Sequence, residues 1–458
     1  DRHGTLILAM ADPADVVTID DVRLITGFAV MAVTAIAGAL EDVWDEVFAN
    51  KGKLERETIE VEQTGSRLLV LAEYDKVVSL VEEILAAGVR QGASDIHFEP
   101  QADRMVVRVR VDGMLHRLTD IQDEMKEGVV SRIKILGDMD IAERRLCQDG
   151  RATFRFDDRA VDLRIASIPT VFGENVTIRL LDGALANITL EDLGMGEEDL
   201  VVFRRALKRP WGGILVTGPT GSGKSTTLYA ALEELNIPSV KIYTVEDPVE
   251  RRIPGILQSQ IRSNIGLTFS TMLRSLVRSD PDIIMVGEIR DQETALIATE
   301  ASLTGHLVLS TLHTNDSASA ITRLMEMGLP SYLIASSLEC VVAQRLARRV
   351  CPNCAHSVTL TPSKMTAEEH DFLQVTKATI AKPVGCKSCF NSGYSGRIGL
   401  FEVLPVSREI RALVLEHASA DELRDQGAAS GTRPLREDGR LKVLAGLTTI
   451  EEVERVTA

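Results

Sequence analysis

The sequence predicts an α/β protein: a parallel sheet with helices on both faces, preceded by a small α+β unit and interrupted by a cysteine-bearing insert. Three observations predict it. From about Leu193 to Val350, apolar runs such as Ile214-Leu215-Val216, Ile283-Ile284-Met285-Val286 and Leu307–Leu312 alternate with helical stretches. Unbroken apolar runs mark strands buried on both faces. Before about Asp182 the strands are half-buried instead: Met105, Val107, Val109 and Val111 alternate with Val106, Arg108 and Arg110. Finally, four of the six cysteines fall in two C-x-x-C pairs within a loop-rich stretch, Cys351–Gly399.

Taken in order, residues 1–55 read strand, helix, strand, helix: Thr5–Ala9, Ile19–Thr26, Ala29–Val33 and Ile36–Phe48. We expect them to be the last part of an N-terminal domain, because the chain opens on Asp1 and a strand follows almost at once. Residues 56–73 lie in a charge-dense, Gly-containing stretch with linker chemistry. The α+β unit, 74–182, opens with a helix over Val77–Gln91, whose Val77, Leu80, Val81, Ile84 and Leu85 recur at helical spacing. Strands are expected at Asp95–Glu99, Arg104–Val111, Thr153–Phe156, Val161–Ser167 and Asn175–Leu180, with a helix near Glu127–Gly137. A connector, 183–193, leads to the large domain, 194–458. That domain contains the cysteine insert 351–399 and ends, over 400–458, in helices at Arg408–His417, Ala420–Gln426, Gly439–Ala445 and Ile450–Val456.

Composition narrows the function. A chain of 458 residues predicts two to four domains at about 100–200 residues each. With 51 Lys+Arg against 67 Asp+Glu, the net charge of −16 repels phosphate backbones at long range. Aromatics at 4% leave little for base stacking, so no nucleic-acid partner is expected. The longest apolar run, Phe28–Leu40, is too short to span a bilayer, so no transmembrane segment is expected.

The most informative segment is Gly218-Pro219-Thr220-Gly221-Ser222-Gly223-Lys224-Ser225, followed by Thr226. It is a complete G-x-x-x-x-G-K-[ST] loop between a strand and a helix. Glycines let backbone N–H groups turn toward phosphate oxygens. Lys224 supplies a cation to the β/γ-phosphates, and the Ser225 hydroxyl can ligate Mg²⁺. The bland alternative is a Gly-rich turn, which the full motif in its strand–helix setting disfavours.

Other candidates are weaker singly. Glu288 follows the Ile283–Val286 strand and can reach Mg²⁺ or polarise a water. Glu246, Asp247 and Glu250 follow another strand, where carboxylates face the ligand crevice. Glu246 alone is equally readable as a solvated loop charge. His306 and His313 flank Leu307–Leu312, about 23 Å apart if extended, so they cannot share a metal without a bend. Either can sense a γ-phosphate or be an ordinary strand-end histidine. Arg274 and Arg278 share a helix face, as a phosphate clamp or a solvated edge.

Cys351-Pro352-Asn353-Cys354 and Cys386-Lys387-Ser388-Cys389 are two C-x-x-C turns with 31 residues between them. Two such turns complete a tetrahedral Cys₄ shell with no open position, which means structural zinc. Free thiols and a redox dithiol are the competing readings. The insert lacks a dense apolar run, so the ion is expected to supply much of its folding free energy. Cys147 and Cys340 are expected to be packed small side chains.

Gly218–Thr226, Tyr243–Glu250, Asp280–Asp291 and Thr304–Asn315 resemble, in order, the Walker A, aspartate-box, Walker B and histidine-box segments of the secretion ATPase superfamily. Gly92–His97, Arg110–Gly113 and Gly396–Glu402 resemble its flanking segments. The double C-x-x-C insert points to the pilus-extension and type II secretion branch. The resemblance implies a RecA-like P-loop ATPase domain, a small PAS-like domain before it, ATP with Mg²⁺, and a homohexamer. It also implies a cytoplasmic site at the inner-membrane face, where a platform protein adds pilin subunits. By the same resemblance Arg164, Arg179, Arg274 and Arg278 contact phosphates. Glu246 and Glu288 share the roles of water activator and Mg²⁺-side carboxylate, with Lys224 completing the catalytic set. The spacing of the cysteine pairs and the tail Leu400–Leu404 favour the pilus over type II secretion. A nucleic-acid translocase is the alternative of another class. A GTPase is disfavoured because no Asn-Lys-x-Asp segment occurs.

Overall fold

The structure is a computed structural model that describes residues 5–10, 22, 29–34, 65–157, 159–181, 188–363 and 365–458. Two compact units divide at Glu73/Tyr74. In the first, β1 (Thr5–Met10) pairs in parallel with β2 (Ala29–Thr34), as a strand–connection–strand reading requires. Apart from Val22, the helix expected at Ile19–Thr26 lies outside the described residues, as do the helix expected at Ile36–Phe48 and residues 56–64 of the linker.

The second unit begins within a helix, Gly65–Arg90, which starts well before the expected Val77. Six strands follow: β3 (Asp95–Pro100), β4 (Arg104–Val111), β5 (Met114–Gln122), β6 (Gln148–Phe156), β7 (Arg159–Thr170) and β8 (Gly173–Leu181). They form one antiparallel sheet in the order β5-β4-β3-β8-β7-β6. The sequence pattern missed β5, whose Leu115, His116, Thr119 and Asp120 alternate too weakly to read as a strand. One face of the sheet packs on two helices. Val81, Leu85 and Val89 of the first and Val129 and Ile133 of the second, Lys126–Leu136, are buried with Ile96, Phe98, Val107, Ile165 and Ile178. The other face is polar.

The large domain is built on β9 (Gly212–Thr217), β10 (Ile242–Glu246), β11 (Leu257–Gln260), β12 (Ile283–Val286), β13 (Leu307–Leu312), β14 (Leu338–Val350) and, after the insert, the strand Tyr394–Pro405. Neighbours run parallel except the last pair, where Tyr394–Pro405 lies antiparallel to β14 along the sheet edge. Period-two alternation sends side chains to opposite faces. Leu215, Val245, Ile284, Val308 and Val341 meet helices on one face. Ile214, Val216, Met285, Leu309 and Val342 meet the helices Glu197–Leu207 and Lys224–Leu235 on the other.

The insert is more ordered than its loop-rich sequence suggests. β15 (His356–Leu360) pairs with β16 (Ala378–Lys382), and a helix, Ala367–Leu373, lies between them. Leu360, Phe372, Leu373 and Ile380 share one buried cluster with Leu435, Val443, Ile450 and Val453 of the C-terminal helices. The insert thus borrows its apolar core from 435–453. This packing stands beside the ion that is expected to supply much of the insert's folding free energy. With the insert closed, Tyr394–Pro405 is β17, the outermost strand of the seven-stranded order β11-β10-β12-β13-β9-β14-β17.

Candidate functional site

The site forms at the C-terminal edge of β9, β10, β12 and β13, where the parallel strands end together. β9 stops at Thr217 and the chain enters the loop 218–223 before the helix Lys224–Leu235. Gly218 has φ 149° and abuts its neighbours: a Cβ there would lie 2.4 Å from the Gln344 carbonyl oxygen. Gly223 has φ 89°, and a Cβ would lie 2.8 Å from Gln344 Nε2. Both conditions select glycine. No side chain caps this helix, so its first amides are left for an anion, in keeping with a phosphate cradle. Ser225 is exposed in the first turn, beside the partly exposed Thr226. Pro219, Thr220 and Gly221 form the exposed rim, while Ser222 is buried and its hydroxyl has no hydrogen-bond partner among the described residues.

Lys224 is 8% exposed and folds back on the loop. Its Nζ donates to the Gly218 carbonyl at 2.8 Å and the Pro219 carbonyl at 3.0 Å. Burial lowers its pKa to about 8; the nearby Glu288 carboxylate opposes that shift and Arg345 adds to it. The loop is anchored on both sides. Thr217 Oγ1 lies 2.7 Å from Thr314 Oγ1 and accepts the Thr314 amide at 2.9 Å. Thr227 donates to Gln344 Oε1 at 2.7 Å. Gln344 is the polar member of an otherwise apolar stretch of β14, a signal the sequence did carry.

Glu246, the last residue of β10, is 4% exposed and is no solvated loop charge. Its Oε1 accepts the Thr244 hydroxyl and, at 3.1 Å, Gln258 Nε2; its Oε2 accepts the Tyr229 hydroxyl. Glu288 follows β12. Thr311 holds the preceding Gly287 carbonyl at 2.8 Å. The Glu288 carboxylate receives Arg290 on one oxygen and lies 3.5 Å from His313 Nε2 on the other. Lys224, Glu246, Glu288 and His313 thus stand at one edge of one sheet.

Other expected residues stand elsewhere. His306 precedes β13 at the opposite end of the strand, where its carbonyl accepts the Gly212 amide at 3.1 Å. Its Nδ1 lies 2.8 Å from the Ala301 carbonyl, so it ties the end of the helix Gln292–Leu303 to the sheet. The fold carries His306 away from the phosphate loop and His313 toward it, because strand ends point opposite ways. Arg274 pairs with Glu293, and Arg278 donates to the Arg274 carbonyl. Both are exposed, and neither meets the loop or its carboxylates by any ion pair or hydrogen bond among the described residues. Cys340 is fully buried in the sheet core, whereas Cys147 is exposed, which corrects the expectation of a packed side chain there.

In the small domain, register aligns Arg110, Asp95, Arg179, Arg164 and Arg151 in one row across β4, β3, β8, β7 and β6. Like charges on adjacent strands repel, so three neighbouring arginines are not by themselves a stabilising arrangement. Arg179 is held by Asp95 at 3.2 Å. Arg164 reaches the large domain, 3.3 Å from Glu250 in the loop after β10. A second bridge joins Asp112 to Arg397 at 3.4 Å and to the Gly396 amide at 2.7 Å.

The sulfurs of Cys351, Cys354, Cys386 and Cys389 all lie within 4.8 Å of one another. Three pairs measure 4.0, 3.8 and 3.7 Å. Zn–S bonds of about 2.3 Å in a tetrahedron place sulfurs about 3.8 Å apart, so the set fits one zinc ion. Amides of Cys386 and Gly393 point at Cys389 Sγ from 3.2 and 3.3 Å. Burial, the largest influence, raises the Cys389 thiol, but these amides, together with the Cys386 and Cys354 side chains, bring it down to about 6.

The family model for "Type II/IV secretion system protein" matches residues 71–455. The chain is 40% identical to the type IV pilus assembly ATPase PilB of Myxococcus xanthus, over 99% of this chain and 82% of that protein. It is 43% identical to type II secretion system protein E of Xanthomonas campestris pv. campestris, over 100% of this chain and 82% of that protein. Among solved structures, the ATPase DotB of Legionella pneumophila shares the fold with a TM-score of 0.59 at 21% identity, covering 82% of this chain and 95% of that one.

Proposed function

From a chain that belongs to the type II/IV secretion system protein family and is a P-loop ATPase of the pilus and secretion kind, we propose a pilus-assembly motor. Six copies would form a ring at the inner-membrane face of the cytoplasm, turning ATP hydrolysis into motion of a platform protein that adds pilin subunits. The observation that carries the ATPase chemistry is the convergence of Lys224, Glu246, Glu288 and His313 on one sheet edge beside a glycine loop.

In this reading the loop amides and Lys224 hold the β/γ-phosphates. Ser225 and Glu288 would hold Mg²⁺, which would neutralise phosphate charge. Glu246 takes the proton of the attacking water as its oxygen bonds to the γ-phosphorus and the β–γ bond breaks. A carboxylate offers about four acceptor positions. Glu246 spends three on Thr244, Gln258 and Tyr229, and the fourth is left for water. Arg164 and Arg179 would steady the departing phosphate from the small domain, and His313 would report on it through Glu288. Arg274 and Arg278 take a phosphate role only if nucleotide redirects them from their present partners. Zinc would be held by the four cysteines as a closed, structural site.

Type II secretion is the second reading, favoured by a relative of that name aligned to the whole chain. Deleting the gene and restoring it separates them. Pilus assembly predicts that surface fibres disappear and return while protein secretion is unaffected. Loss of secretion with fibres intact would overturn it.

A further inference from the structure

We propose that Tyr229 is a positioning residue for hydrolysis, one that holds the Glu246 carboxylate by a hydrogen bond whose direction the fold dictates. Tyr229 lies on the helix that begins with Lys224, and its ring is buried. Its oxygen accepts the Glu250 amide at 3.2 Å. That contact occupies the oxygen as acceptor, so the phenolic proton is directed to the partner on its other side, Glu246 Oε2. The ring is fixed by Arg251, whose guanidinium stands 5.5 Å from its centroid and pairs with Glu233 at 2.6 Å. Burial, first, and the Glu246 charge push the phenol well above its ordinary range, so it is a donor at any working pH.

The consequence is geometric. Thr244 and Gln258 both bind Oε1, which leaves that oxygen saturated. Among the described residues Oε2 carries Tyr229 alone, so the free acceptor position belongs to Oε2 and its direction is set by where Tyr229 stands. The same helix presents Lys224 at its first residue and Tyr229 five residues later. One rigid element therefore fixes the phosphate cation and the aim of the carboxylate together.

The inference rests on Glu246 as the water activator, and the test separates the two. In the full chain, Tyr229→Phe keeps the ring and its stacking with Arg251. It is expected to lower kcat about tenfold, the scale of an impaired proton acceptor, while KM for Mg-ATP and the melting temperature hold. A folded variant with undiminished kcat overturns the assignment, as does a loss confined to KM. Glu246→Gln is measured alongside: normal turnover there removes the reading beneath, whereas slow Glu246→Gln with normal Tyr229→Phe removes Tyr229 alone. If Tyr229→Phe does not fold, 3-fluorotyrosine at position 229 makes the phenol more acidic at nearly constant volume. A kcat that ignores this change overturns the proposal.

Discussion

Lys224 turns inward in this conformation, onto carbonyls of its own loop, and a phosphate would have to draw it out. Lys224→Ala is therefore expected to abolish hydrolysis with little loss of stability, measured as phosphate release beside a melting curve. Its pKa gives a pH dependence with a definite sign. Burial holds the lysine at about 8 without nucleotide, and a bound polyphosphate favours the charged form. ATP affinity should thus be complete below about pH 8 and weaken as pH rises through that value. An affinity flat from pH 7 to 9, by equilibrium titration, would count against it. Glu246→Gln and Glu288→Gln should bind ATP yet turn over at least about tenfold slower, since the loop supplies capture and the carboxylates act later. At this scale the sequence disclosed residues whose chemistry is unusual for their surroundings: a lysine after glycines, carboxylates after apolar strands. It concealed Tyr229, because a tyrosine among Leu228, Ala230 and Ala231 reads as core until its hydroxyl is located. It also left His306 and His313 equivalent, since only strand direction in the folded sheet tells them apart.

The elements were legible where burial imposes a period. β12, β13 and β9 are continuous apolar runs because helices cover both faces, and Arg104–Val111 alternates because helices cover one. β17 was harder to read. Its pairing partner, β14, is separated from it by the whole insert, and no local pattern encodes so distant a pairing. The insert shows two sources of order working together. Its cysteine turns fit one ion, while Phe372, Leu373 and Ile380 pack with Leu435 and Val443. Replacing Cys386 and Cys389 with Ser is expected to remove about one zinc per chain. It should loosen the segment around the cysteine turns, 351–355 and 385–393, more than β15 and β16, which keep their apolar anchor. Hydrogen exchange would display the difference, and nucleotide binding at Lys224 should persist. A zinc content unaltered by the double replacement would refute the centre.

At the scale of the whole molecule, the acidic net charge of all 458 residues and the arginine row of the small domain answer different questions. A charge of −16 sets long-range repulsion from polyanions, whereas the row on β8, β7 and β6 offers a local cationic face. A compact anion can be held there even though an extended one is repelled. Arg164 and Arg179 lie in the small domain, while Lys224 and the carboxylates belong to the large one. Hydrolysis by both sets requires the two domains to close on the same nucleotide, from one chain or from adjacent chains in a ring. The contacts now seen, Arg164 with Glu250 and Asp112 with Arg397, are exposed or half-buried ion pairs, each worth about 0–1 kcal/mol. Pairs that weak allow rearrangement at little cost, which suits a motor. Residues 192–458 alone are accordingly expected to bind ATP, through the loop, but to hydrolyse it poorly. In the full chain, Arg164→Ala and Arg179→Ala should lower kcat more than nucleotide affinity. Sedimentation with a slowly hydrolysed ATP analogue should show hexamers. Full activity in 192–458 would mean that the small domain contributes nothing to the chemistry, and monomers at saturating nucleotide would remove the ring.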